Sequence, residues 1–371
     1  MTGLTVSRDE AQRLEQETAE RLLEGRKLSL IVDLDQTIIH ANATRDPMDA
    51  WLAECSPELR ADVGCFQLPE SPLLYYIKLR PGLRDFLTRV SALYELHIYT
   101  MGTRAYAEKV AELIDPDHQI FKERILSRDE SGSVTHKNIQ RLFPCDSSMV
   151  VAIDDRADVW QNSPHLIKVK PYSFFTGIGD INSGFLPKQN LPTTEVTPTP
   201  PPPPPPKLVT AQSTPPIAPS VVFKHPFEDH DRELDRIYRL LSQAHAMFYN
   251  RVDDQQQGAG GKKPDVAEFL SSLKRRVLRD VHIVFSSVIR LDVDPRRSDI
   301  WQWARSFGAR CSESLPRSGT SNAPRVTHLV AGKPDTAKVK EARRLGGVEI
   351  VKFEWLIDSL HSWKRLDEAP Y

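Results

Sequence analysis

The stretch KLSLIVDLDQT, residues 27–37, decides the fold. From Lys27 to Asp33 it is a continuous apolar run, the pattern of a parallel strand covered on both faces. It ends in two acidic residues, Asp33 and Asp35, with a hydroxyl following at Thr37. A hydrophobic strand that terminates in carboxylates carries them to the carboxyl end of a sheet, where open α/β sheets form their ligand crevice. Because Leu34 points away, both carboxylates can face one pocket, one as nucleophile and metal ligand and its neighbour as manager of protons. Taken alone, the pair also fits a capping or loop role.

Outward from this strand the alternation continues. Arg8 to Arg26 reads as a polar surface helix, and the residues between His40 and Tyr75, with Trp51 and Phe66, as an insertion. The apolar pattern returns at LLYYIKL (73–79). A helix after Pro81-Gly82 follows, then a strand at YELHIYT (94–100), a helix from Thr103 to Ile114 and a strand ending in Asp154-Asp155. Strands alternating with helices predict an α/β fold, a doubly wound, mostly parallel sheet with helices on both faces. From Leu191 to Ser220 the chain is rich in Pro and Thr, with an unbroken run from Pro201 to Pro206, which predicts a semi-rigid polyproline linker. Beyond it Leu234, Ile237, Leu240, Leu241, Ala244 and Phe248 mark one amphipathic helix between Asp229 and Asn250. Gln255 to Lys263 separates that helix from a last alternating unit, Val281 to Tyr371. Four parts result: 8–187, a proline-rich linker 188–222, a helical segment 223–272, and 273–371.

Composition narrows the class. With 40% hydrophobic and 27% charged residues over 371, the chain has material for two or three globular cores, and its 29 prolines fit a linker. A net charge of −1 argues against sequence-blind nucleic-acid binding, so no direct nucleic-acid partner is expected. Cys55, Cys65, Cys145 and Cys311 lack any zinc spacing and read as free thiols. No apolar run approaches the ~20 residues of a membrane span, so no membrane partner is expected.

Other polar residues stand where a crevice at the strand ends would use them. Thr100 ends HIYT, where its hydroxyl can donate to a phosphoryl oxygen, although a capping role for the following helix is an alternative. Lys137 follows the turn-rich SGSVTH and can neutralise phosphoryl charge. Asp154 and Asp155 close MVVAIDD and offer oxygen ligands to a hard cation. Hydrolysis of a phosphate monoester needs up to ~10²¹-fold acceleration, so positioning, charge neutralisation and a covalent intermediate must act together.

Asp33-Leu34-Asp35-Gln36-Thr37, Thr100, Lys137 and Asp154-Asp155 resemble the four motifs of the haloacid-dehalogenase superfamily. LYYIKLRPGL, YELHIYTMGTRAYA, RLFPCDSSMVVAIDDRADVW and PHLIKVKPY resemble the Fcp/Scp phosphatases that act on the C-terminal domain of RNA polymerase II. The last unit is similar to a BRCT domain through HIVFSSV, Trp303, Gly308-Ala309, THLVA and Trp355, which reads as a core anchor. Together these point to the Fcp type, and Leu186 to Gln189 and DHDRELDRIYRLLSQAHAMFYN resemble fungal members. The resemblance implies a phosphoserine substrate in the polymerase tail, an aspartyl-phosphate on Asp33, and Asp35 as general acid and base. It implies Mg²⁺ held by Asp33, the Asp35 carbonyl and Asp154, with Asp155 at the metal site through water or hydrogen bonds, and phosphate held by Thr100 and Lys137. A nuclear location follows, with general transcription factors as further partners. Arg80 is a candidate substrate contact, with a structural salt bridge as the alternative. Where many phosphate-binding BRCT domains carry Ser/Thr-Gly, this chain has Ser286-Ser287, with Lys338 a candidate for the family's lysine. Two other readings stay open: a non-catalytic phosphoprotein scaffold, and a small-metabolite phosphatase.

Overall fold

A computed structural model describes residues 8–69, 71–182, 225, 228–258, 260–316 and 325–371. The proline-rich linker lies outside the described residues.

The chain opens with a surface helix, α1 (Arg8–Glu24), and then β1 (Leu28–Val32), every residue of which is buried. Next come β2 (Ile39–Thr44), α2 (Asp49–Glu54), α3 (Pro57–Ala61), β3 (Val63–Gln67) and β4 (Leu74–Leu79). These three strands pair antiparallel in the order β2-β4-β3 as a sheet of their own. The apolar LLYYIKL segment therefore belongs to the insertion and not to the main parallel sheet. Its continuous apolar run does not report direction: Tyr76 packs against the Trp51 and Phe175 cluster on one side while Ile77 joins the main core on the other.

The main sheet is completed by α4 (Leu83–Ser91), β5 (Tyr94–Tyr99), α5 (Arg104–Ile114), β6 (Ile125–Leu126), α6 (Arg128–Ser131), β7 (Val150–Asp154) and β8 (Leu166–Lys168). Its order is β6-β5-β1-β7-β8, all parallel, with β1 central. Central placement explains why β1 is buried on both faces, Leu28, Leu30 and Val32 in the core shared with α4 and α5 and Ile31 in a second cluster with Ile139 and Trp160; Ser29 is its one polar residue. Thr103 caps α5 by accepting from the Tyr106 backbone N–H, and the left-handed Gly82 (φ 75°) stands before α4.

The amphipathic helix appears as α7 (Glu233–Gln256), followed by α8 (Val266–Val277), which runs across the expected boundary at 272. These helices make no core of their own: Leu234, Ile237, Leu241, Phe248, Val266 and Leu270 share one cluster with Leu30, Phe86 and Val90 of the sheet unit. The last unit is a second parallel sheet, β10-β9-β11-β12, built from β9 (His282–Ser286), α9 (Asp299–Ser306), β10 (Arg310–Ser312), β11 (His328–Ala331), α10 (Ala337–Leu345), β12 (Glu349–Lys352) and α11 (Phe353–Ser362). Trp355 is fully buried in this unit, its indole N–H donating to the Leu366 carbonyl (3.0 Å) and its ring stacked on His328. Trp355→Ala should cost roughly 3–5 kcal/mol by leaving a cavity. In a calorimetric melt of the full chain, a C-terminal transition at the parental temperature would refute the core assignment. No helix among the described residues is long and apolar enough to cross a membrane.

Candidate active site

Three adjacent strands, β5, β1 and β7, end at one place and deliver Thr100, Asp33 and Asp154-Asp155 there. Lys137 enters from the segment before β7, its backbone N–H donating to the Val159 carbonyl (2.9 Å). Immediately after Asp35 the chain turns at Gln36, a left-handed residue (φ 57°), whose carbonyl accepts from the Tyr172 N–H. All the expected residues except Arg80 meet in this crevice.

Lys137 is the keystone. Its buried ammonium donates to Asp33 Oδ1 (2.5 Å) and Asp154 Oδ2 (2.6 Å). The Thr37 hydroxyl donates to Asp33 Oδ2 (2.8 Å) and accepts from the Asp155 N–H (3.1 Å), so the motif's threonine ties β1 to β7. Asp154 is further oriented by the Trp160 indole N–H on Oδ2 (2.8 Å) and the Arg156 backbone N–H on Oδ1 (2.7 Å). One carboxylate oxygen from each of Asp33, Asp154 and Asp155 lies within 4.8 Å of the others. Three buried carboxylates against one ammonium leave two negative charges unbalanced. Burial and the Asp154 charge push Asp33 up to about 7, against Lys137 and Thr37. Burial, Asp154 and Asp33 push Asp155 well above its ordinary value. Burial disfavours the Lys137 ammonium, but Asp154 and Asp33 outweigh it and raise its pKa. A divalent cation with a preference for oxygen supplies the missing charge, so the donor set fits one.

Asp35 stands apart from that cluster, its two oxygens held by different donors: the Tyr106 hydroxyl on Oδ1 (2.6 Å) and the Asn182 side-chain amide on Oδ2 (2.8 Å). Burial and the nearby Asp180 carboxylate push Asp35 up to about 8, while Tyr106 and Asn182 pull it down. A carboxyl poised near neutrality can both give and take a proton. Gly102 makes this clamp possible, because a Cβ there would lie 2.5 Å from the Tyr106 ring and 3.4 Å from the Asn182 amide. Thr100 also uses its hydroxyl oxygen locally, accepting from the Gly102 N–H (2.9 Å); its proton has no acceptor among the described residues. Tyr106, Trp160, Asp180 and Asn182 were not anticipated. Nothing in the sequence separates Tyr106 and Trp160 from aromatics that only fill a core, and Asp180 and Asn182 sit in an irregular segment where no periodicity reports direction.

Arg80 does not reach the crevice. It is fully buried, its guanidinium forming a two-pronged pair with Asp231 (2.8 Å each) and donating to the Thr37 carbonyl (2.8 Å). Of the two readings, the structural one describes it: the partner, Asp231, lies beyond the linker and 151 positions away. In the C-terminal unit Lys338 donates to the carbonyls of Phe285 (2.9 Å) and Glu313 (2.7 Å), and Ser286 bonds the Thr336 hydroxyl (2.7 Å). The two groups that a phosphate would need there are engaged with the fold. The four cysteines are free thiols, as expected.

Comparison with known proteins agrees with this arrangement. Residues 28–186 match the model of NLI interacting factor-like phosphatases and 273–360 that of the BRCA1 C Terminus (BRCT) domain. The chain is 40% identical to the RNA polymerase II C-terminal domain phosphatase of Schizosaccharomyces pombe and 35% identical to that of Saccharomyces cerevisiae. In both cases 99% of this chain aligns, and it spans 60% of the relative's length. The solved structure of the fission yeast RNA polymerase II CTD phosphatase Fcp1 bound to beryllium fluoride superposes with a TM-score of 0.78 at 40% identity, over 96% of this chain and 99% of that one. With the crevice, the second parallel sheet and nearly the full length of that solved structure shared, the chain belongs to the Fcp type of the NLI interacting factor-like phosphatases.

Proposed function

We propose that the chain is a Mg²⁺-dependent protein phosphatase that removes phosphate from phosphoserine in the heptad-repeat tail of RNA polymerase II, in the nucleus, through an aspartyl-phosphate on Asp33. One observation carries the chemistry: Asp33 and Asp35 leave the same strand end into different environments. Asp33 lies against the Lys137 ammonium, which favours its carboxylate form against the upward push of burial and Asp154, whereas Asp35 is held between two neutral donors, with burial and Asp180 raising its proton affinity.

A carboxylate oxygen of Asp33 forms a bond to phosphorus as the bond to the serine oxygen breaks, and Asp35 gives that oxygen its proton. In the second half Asp35 takes a proton from water, the water oxygen bonds to phosphorus, and the Asp33–phosphorus link opens to release inorganic phosphate. Thr100 and Lys137 hold the phosphoryl oxygens in line. Asp33, Asp154 and the Asp35 carbonyl, with Asp155 fixed beside them by Thr37, would hold Mg²⁺. The ion would contribute charge neutralisation at the phosphoryl group. The substrate is carried over from the relatives, whose names place their activity on the polymerase tail.

Asp35→Asn separates the two half-reactions. A serine alkoxide needs a proton as it departs, so phosphoserine peptides should be turned over at background rate. The p-nitrophenolate of p-nitrophenyl phosphate leaves unaided, so one equivalent should be released in a burst and phosphorylated protein should accumulate, because the second half still lacks its base. Rapid quench with intact-protein mass spectrometry reads this directly, and steady turnover without a burst would reject the assignment. Comparing a phosphoserine-proline peptide with sugar phosphates sets the proposal against a metabolite phosphatase.

Gly102→Ala tests the clamp. Its methyl group would displace the Tyr106 ring and with it Asp35; a shift of about 1 Å in a catalytic group costs on the order of 100-fold in rate. Turnover of the peptide should fall by about that factor, with far-UV circular dichroism unchanged. Parental turnover would show that Asp35 is held some other way.

A further inference from the structure

A cavity of about 610 Å³ lies where the loop after β7, the end of β8, α8 and α9 meet. Lys168, Lys274, Arg275 and Arg305 line it, and no acidic residue does. Among the described residues, none of the four makes an ion pair with a carboxylate. The two lysines rest on aromatic rings instead, Lys168 Nζ 4.2 Å from the Trp303 centroid and Lys274 Nζ 5.3 Å from that of Trp363. Lys274 has in addition one bond to the Leu166 carbonyl (2.8 Å). Burial lowers the Lys274 ammonium to about 8. Cations gathered and partly dehydrated in this way cost stability until an anion enters.

The cavity adjoins the reaction crevice. Lys168 pairs in register with Asp154, and neighbouring strands lie ~4.8 Å apart, so the basic wall begins about one strand from the acidic cluster. Ala157 and Asn162, in the same wall, belong to the loop that leaves Asp155. We infer that this cleft binds a second phosphorylated side chain of the polypeptide whose first phosphoserine lies at Asp33. The inference rests on the phosphatase reading for its substrate class. A phosphate, with more than one negative charge and three acceptor oxygens, matches two guanidinium forks and two ammoniums better than a single carboxylate does. Proteins that hold single-stranded nucleic acid add open aromatic faces on which bases stack, and here both tryptophans already carry a lysine.

The test measures binding, so that it does not depend on turnover. Fluorescein-labelled peptides carry one or two non-hydrolysable phosphonate analogues of phosphoserine at several spacings, and anisotropy gives Kd for the full chain. At a permissive spacing the second phosphonate should tighten binding by about 10-fold or more, as two linked contacts do. That gain should vanish in the Arg275→Gln/Arg305→Gln protein, in which both altered positions are exposed and the melting temperature should match the parent's. Equal binding of the two peptides at every spacing, or a gain that survives the double substitution, overturns the inference. So does single-stranded RNA of equal charge that competes as well as the doubly substituted peptide. Hydrolysis of p-nitrophenyl phosphate by the same preparations judges the phosphatase reading separately: its absence would sink that reading while the binding gain still stood.

Discussion

Asp33→Asn should abolish turnover on every substrate and leave no phosphorylated protein to trap. The replacement keeps the side-chain shape and its contact with Thr37, but an amide has no lone pair of carboxylate strength to offer phosphorus. It also removes one of the three charges gathered at the cation site. Loss of a covalent nucleophile costs enzymes roughly a million-fold in turnover, so residual activity should lie at background. Stability should move the other way. Burial and Asp154 hold the Asp33 pKa near 7, above that of a free carboxyl, so at pH 8 in the absence of metal its ionised form weakens the folded state. The Asn protein should therefore melt at or above the parent without Mg²⁺ and gain less when Mg²⁺ is added. Trapping and mass spectrometry of the parent should place the phosphoryl group on Asp33. Finding it elsewhere, or turnover in the Asn protein, would overturn the mechanism.

Arg80→Ala should be the most destabilising single change near the site. The guanidinium is fully buried, and its removal leaves Asp231 without its two-pronged partner and the Thr37 carbonyl without a donor. Breaking a buried ion pair by deleting one member costs roughly 3–5 kcal/mol, a large share of a domain's stability. Because Asp231 sits at the entrance to α7, the loss should loosen that helix along with the catalytic turn. Urea denaturation of the full chain reads the effect. A substrate contact would behave otherwise: KM would rise while the midpoint stayed put, and that outcome would restore the substrate-side role to Arg80. Asp231→Ala should reproduce the stability loss if the pair is structural.

Legibility in the sequence tracked how local each determinant is. β1, α4, β5, α5 and β7 could be read from apolar runs and their punctuation, because burial on two faces or on one stripe imposes a period on the residues themselves. LLYYIKL was misplaced because an apolar run records burial and not the direction of its neighbour. Segment 223–272 looked separate because an amphipathic face announces that it will be covered without naming its cover; here the cover is the sheet unit's own core.

By itself, then, the sequence determined the parallel sheet unit, the carboxylates at the end of its central strand, Thr100, Lys137 and Asp154-Asp155 as their companions, and a second small α/β unit. The sheet unit, its terminal carboxylates and the second unit are written in contiguous residues whose pattern follows from local geometry, whereas the parts given to Thr100 and Lys137 rest on the family resemblance. Only the tertiary structure decided that Lys137 bridges Asp33 and Asp154, that Tyr106 and Asn182 hold the two oxygens of Asp35, and that Arg80 turns inward to Asp231. The contacts of Tyr106 and Arg80 join residues 71 and 151 positions apart. The side chains that make them are chosen by charge and burial in the folded interior, and no spacing along the chain encodes which buried cation meets which buried carboxylate.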